Sequence, residues 1–163
     1  MKPGPLPPPT SDLASAILGG WWLRSRLDHD DNGNQHVCPI LGAEPLGFLA
    51  FTERRFSAQF MRRGREVEAA AVRDAAREPA EPRAAANNTG AVDGYDAYFG
   101  TYDLDAARGT VVVTLEAALT PANIGKTFMR EVHVVGDRLI IRLNTNAADG
   151  TPITRTLTFE RLR

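Results

Sequence analysis

Arg130 falls between Phe128 and Val132 at the period-2 spacing that puts all three side chains on one face of a strand. A guanidinium on an apolar face costs free energy unless it is paired. Its planar fork suits a carboxylate, an enolate or a carbonyl oxygen. Two readings stay open: contact with a ligand oxygen, or a structural ion pair with a carboxylate such as Glu116. Arg142, beside Ile140 and Asn144, carries the same ambiguity. Tyr98 and Tyr102 share a face with Gly100 between them, and a glycine there lets a sheet bend or a ligand come close. A phenol hydroxyl in a dry cavity can donate to a carbonyl and stabilise an enol-like transition state; the alternative is barrel packing with satisfied hydroxyls. Gln59 and Met61 also share a face. A buried glutamine needs partners, so Gln59 is either wet or a polar pin in a pocket. Arg130 and Tyr98 are therefore the candidate catalytic residues. Gln59, Met61, Tyr102, Thr114, Glu116, Phe128, Arg142 and Asn144 are the candidate ligand contacts.

Other chemistries find less support. His29 sits in the acidic run Asp28-His29-Asp30-Asp31, which reads as a solvated turn, and His36 lies just after it. His133 faces with Glu131, where a base role is an open alternative. No two histidines have the spacing of metal ligands, and the one cysteine, Cys38, has no cysteine partner. No nucleophile elbow, phosphate-binding loop or dinucleotide fingerprint occurs. Neither a metal nor an organic cofactor is expected.

The elements that must position these residues are mostly strands. Residues 21–27 alternate Trp21, Leu23, Ser25 and Leu27 against Trp22, Arg24 and Arg26, one dry face and one wet. A turn over 28–34, with Asn32-Gly33 at its tip, leads to a short strand over 35–38. A hairpin joins 46–52 to 56–61. Strands follow over 95–103, 109–119, 126–135, 138–145 and 153–162, separated by short turns. Ahead of them, Thr10-Ser11-Asp12 caps a short helix over 11–18. The alanine-dense run 65–78 reads as an inserted helix stopped by Pro79 and Pro82, lying as a lid over one mouth of the fold. Residues 83–92 read as loose. Short strands in sequence order favour a meander of eight or nine that closes into an antiparallel up-and-down β-barrel, because closure removes unpaired edges. The fold class is all-β.

The chain of 163 residues is one domain's worth, with a disordered proline-rich tail over 1–10 and the barrel over 11–163. A net charge of −1 gives no single-sign field to draw it to nucleic acid or an anionic membrane. Prolines occupy the place of a signal peptide's apolar core, so a cytoplasmic location is expected. The apolar run 13–23 is too short to span a bilayer.

Several blocks together resemble a known family. Residues 17–25, ILGGWWLRS, hold a Gly-x-Trp element at Gly19 and Trp21; residues 39–51, PILGAEPLGFLAF, precede a Ser/Gln/Met strand over 56–61. YFGTYD over 98–103 and Pro121, Gly125 and Arg130 within 109–130 add two more blocks. This order resembles the bacterial and fungal lipocalin-like domain family, a calycin-type barrel, over roughly residues 15–162. The chain departs from it where members tend to carry histidine, at Val113 and Thr114, and an aromatic residue, at Asn123. Chemistry that needs that imidazole is not expected. The resemblance implies that Trp21 either lines a pocket or seals the barrel base beneath an arginine, with Arg161 the candidate. It also implies an interior for one small, mostly apolar ligand or substrate. From these features we expect a cofactor-independent cyclase or isomerase of specialised metabolism, of polyketide or terpenoid type. The alternative is a non-catalytic carrier or sensor. Either would work as a monomer or a homodimer, without nucleic acid or membrane.

Overall fold

A computed structural model of the chain describes residues 12–65 and 91–163. The tail over 1–10, the helix expected over 65–78 beyond its first residue, and most of the stretch 83–92 lie outside the described residues. The Asp12 carboxylate accepts a hydrogen bond from the Ser15 amide and caps α1 (Leu13–Ala16). Leu13 and Ile17, one helical turn apart, are fully buried and plug one end of the fold.

Nine strands follow among the described residues: β1 (Gly19–Asp30), β2 (Gln35–His36), β3 (Leu46–Phe51), β4 (Arg55–Met61), β5 (Tyr95–Asp105), β6 (Thr110–Ala118), β7 (Thr127–Val135), β8 (Arg138–Asn146) and β9 (Pro152–Arg161). A 3-10 turn, Pro121–Asn123, links β6 to β7. From β3 to β9 each strand pairs antiparallel with the next, and β1 pairs with both β3 and β9, which closes an eight-stranded barrel. β2 is an outer strand, paired with Asp28 and His29 of β1. The meander predicted from turn spacing is therefore the observed topology.

Strand alternation decides what faces in. Phe56, Ala58 and Phe60 of β4, Val111, Val113 and Leu115 of β6, Leu139, Ile141 and Leu143 of β8, and Leu157 and Phe159 of β9 are buried in one core. Their neighbours on each strand are more exposed. The base is locked by Trp21, which has no exposed surface. Its indole Nε1 donates to the Ile17 carbonyl at 2.8 Å, and the Arg161 guanidinium lies 4.2 Å from its ring centre. Arg161 also donates to the carbonyls of Leu18 and Ala16 at 2.8 and 2.7 Å, satisfying groups that the end of α1 leaves open. Gly19 precedes this lock with φ at +111°, a conformation that a side chain resists.

Two register shifts interrupt the alternation. One lies between Phe99 and Gly100 of β5, against β6. A Cβ built on Gly100 would sit 1.9 Å from the Thr114 carbonyl oxygen, a backbone atom that no rotamer change can move. Gly100→Ala should therefore cost about 2–3 kcal/mol in a urea titration, as overpacking does. A loss below about 0.5 kcal/mol would mean the two strands can separate freely there. The second shift lies between Leu23 and Ser25 of β1, against β9. It corrects the strict alternation read from 21–27. Past the bulge the buried positions are Arg26 and Asp28, while Leu27 is 40% exposed.

Candidate ligand site inside the barrel

That bulge gives the barrel a charged interior. Arg155 is buried on β9 in the alternation Ile153, Arg155, Leu157, Phe159, and its register partner on β1 is Asp28. The pair is two-pronged: Arg155 donates Nε to Asp28 Oδ1 and Nη2 to Oδ2, each at 2.8 Å. Arg26 lies on the same face of β1, with Nη2 at 3.5 Å from Asp28 Oδ2. Burial pushes the Asp28 carboxyl upward, but the hydrogen bonds and charge of Arg155, with Arg26 behind them, outweigh it. The carboxyl is held below its ordinary range. Burial and the charge of Arg155 both pull the Arg26 guanidinium down, against the attraction of Asp28.

Arg130 is buried on β7 and points inward with Phe128, whose ring centre is 5.2 Å from the guanidinium carbon. Its Nη1 donates to the Met129 carbonyl at 3.0 Å. Burial lowers its pKa to about 10, Tyr98 opposing the shift and Arg155 adding to it. Arg130 thus feels the charge of Arg155 and the phenol of Tyr98. Tyr98 stands between the rings of Phe56 and Phe60, at 6.1 and 6.4 Å. Tyr102 also faces in, edge-on to Phe51 at 5.1 Å, but its hydroxyl is committed to the Thr52 carbonyl at 2.6 Å. Burial and the charge of Glu53 raise that phenol's pKa.

The remaining candidates from the sequence sit on the outer faces of their strands. Gln59 and Met61 alternate with buried Ala58 and Phe60, and Gln59 accepts from the Tyr95 hydroxyl at 3.0 Å. Thr114 alternates with Val113 and Leu115. Glu116 pairs with Arg55 outside the barrel. Arg142 and Asn144 alternate with Ile141 and Leu143, and Asn144 accepts from Thr154. The interior therefore brings together Arg130, Tyr98, Tyr102 and Phe128. It adds Arg26, Asp28 and Arg155, which sequence reasoning missed. Arg155 had a signal in its own alternation; Arg26 and Asp28 had none, because the bulge moves them.

A groove of about 510 Å³ lies at the base beside α1, lined by Ser15, Leu18, Glu53, Arg54 and Tyr102 among others. Arg26, Arg130 and Arg155 do not line it. Among the described residues no group of three histidine, cysteine or acidic side chains is placed to hold a metal ion.

A family model for the lipocalin-like domain matches residues 18–162, from the end of α1 to just past β9. The chain belongs to the lipocalin-like domain family. The match covers all nine strands, so the family assignment and the closed barrel describe the same stretch of chain. No curated protein matches this lipocalin-like chain. A lipocalin-like barrel is consistent with the binding of a small molecule, and its interior side chains carry the functional argument.

Proposed function

We propose that this lipocalin-like protein holds one small, mostly apolar molecule inside its barrel, oriented by polar groups on an otherwise apolar wall. The observation that carries the reading is the placement of Arg26, Arg130, Arg155 and Tyr98 on the inward face. Arginines are almost never buried without a role that repays their desolvation. The neutral fluorophore N-phenyl-1-naphthylamine provides the test. Saturable binding at one molecule per chain, abolished on unfolding, is the expected result. Non-saturating or absent binding would reject an accessible interior.

A catalytic version is favoured by one further observation, that Arg130 and Tyr98 both face the interior. Together they would polarise a carbonyl, while the apolar wall folds a flexible polyene or polyketide into a reactive conformer. Such pre-organisation can lower a barrier by several kcal/mol, and it suits a cofactor-independent cyclase or isomerase. Cyclisation and isomerisation conserve mass, so the expected product is a compound of unchanged mass and altered chromatographic retention. Recovery of the compound unchanged would leave a carrier.

Arg130→Met separates ligand contact from structure. If Arg130 serves the ligand, the variant keeps its melting temperature and loses about 1.5–3 kcal/mol of binding or transition-state stabilisation, one to two decades. A lower melting temperature with unchanged binding would make Arg130 structural.

A further inference from the structure

Across β1 and β2, Asp28 pairs with His36 and His29 with Gln35. The same antiparallel register, carried two residues further, sets Cys38 opposite Arg26, and side chains directly opposite share a face. Two observations agree with that placement. Cys38 is half-buried and packs against the core, while Val37 before it is 55% exposed. A negative charge at Cys38 also reaches the Arg26 guanidinium and opposes the downward pull that burial exerts on it. The sulfur is held in place. The Leu41 amide donates to Sγ at 3.5 Å, the Gly42 amide donates to the Cys38 carbonyl at 2.8 Å, and Leu41 itself is buried in the core. Arg26 lacks what its neighbour has. Arg155 takes both oxygens of Asp28 through Nε and Nη2. Arg26 Nε and Nη2 are buried without a hydrogen-bond partner among the described residues, on a side chain only 5% exposed. Its Nη2 stays 3.5 Å from Asp28 Oδ2. An open two-donor edge of this kind is matched by an anion with two oxygens.

We propose that Cys38 is a modification site for hydrogen peroxide, and that its sulfinate is the two-oxygen anion that Arg26 holds. The chain supplies that anion by covalent change, because its one thiol stands opposite the open edge. In the first step the sulfur attacks one peroxide oxygen. An S–O bond forms, the O–O bond breaks, and the departing hydroxide leaves with the thiol proton as water. The product is a sulfenic acid, its sulfur oxidised by two electrons and the peroxide reduced. With no other cysteine in the chain, no intrachain disulfide drains it. A second peroxide adds a second oxygen in the same way and releases another water, and the resulting sulfinic acid is ionised at neutral pH. Its two oxygens then face the guanidinium edge. This goes beyond the reading of the barrel as a binder and does not depend on what the barrel holds.

The test treats the full chain with hydrogen peroxide, maps the product by peptide mass spectrometry and melts it. Cys38 should gain two oxygens, and the treated protein should melt a few degrees higher than the untreated one, because a buried cation has acquired its partner. Cys38→Ser treated alongside gives the shift due to methionine oxidation, which is subtracted. In Arg26→Met the sign should reverse, since the sulfinate then has no cation to face. Cys38→Asp writes two oxygens into the position without peroxide. It should melt above Cys38→Asn, and this comparison stands even where Arg26→Met does not fold. A Cys38 that gains no oxygen at peroxide concentrations that oxidise free cysteine overturns the site. An oxidised protein that melts no higher than the serine baseline, or a rise that survives Arg26→Met, overturns Arg26 as the holder. So does Cys38→Asp melting at or below Cys38→Asn.

Discussion

Asp28→Asn should cost about 3–5 kcal/mol of folding stability, read from the midpoint of urea unfolding. The substitution keeps the shape of the side chain and removes the charge that Arg155 grips through two 2.8 Å hydrogen bonds. Arg155 and Arg26 then repel each other in the interior with no carboxylate between them. Coupling makes the test sharp. Arg26→Met in the Asp28→Asn background should recover part of the loss, because it removes one of the two stranded cations. Purely additive effects would place the two arginines in separate environments. The acid limb of the stability profile should change as well. The Asp28 carboxyl has a folded-state value below its unfolded one. Its contribution is therefore fully present above the unfolded value, near pH 3.9, and is lost as pH falls through the lower folded value. The asparagine variant should lack that part of the acid limb.

Trp21→Ala should cost about 3–5 kcal/mol. The ring is wholly buried, it donates to the Ile17 carbonyl, and the Arg161 guanidinium rests on it at 4.2 Å. Arg161 is also what holds the last carbonyls of α1. Truncating Trp21 opens a cavity and loosens the plug together. Trp22→Ala should cost clearly less, since its ring is half-buried on the outer face of β1. Equal losses for the two tryptophans would mean the faces of β1 are reversed in solution.

Most of the barrel was legible because its strands are apolar at every second residue and its turns are built from Gly, Asn, Asp and Pro. The seal at Trp21 and Arg161 was legible only through the family resemblance, which implied it as one of two readings. The interior was less so. Shared-face reasoning puts Gln59 with Met61, and Arg142 with Asn144, correctly, but it does not say which face is dry. The competing sets, Phe56-Ala58-Phe60 and Leu139-Ile141-Leu143, win the interior because they are the more apolar. Arg26 and Asp28 were hidden for a different reason. A bulge of one residue inverts the faces of everything after it, and the sequence around Arg24 carries no glycine or other mark of that bulge. Arg130 and Tyr98 stood out because each is polar in an apolar alternation, and both face inward.

The pairing of β1 with β9 sets the order in which this molecule can be made. β1 leaves the ribosome well before β9, yet Trp21 lies opposite Arg161 and Asp28 opposite Arg155. Throughout synthesis β1 has only the short contacts to β3 and β2 to shield one side, and its other edge waits unpaired. The stabilising contacts at the base and in the charged interior thus span almost the whole chain, so they arrive together, after translation of the last strand. Contacts this distant in sequence make folding slow, and they leave a half-made barrel with an adhesive margin for its duration.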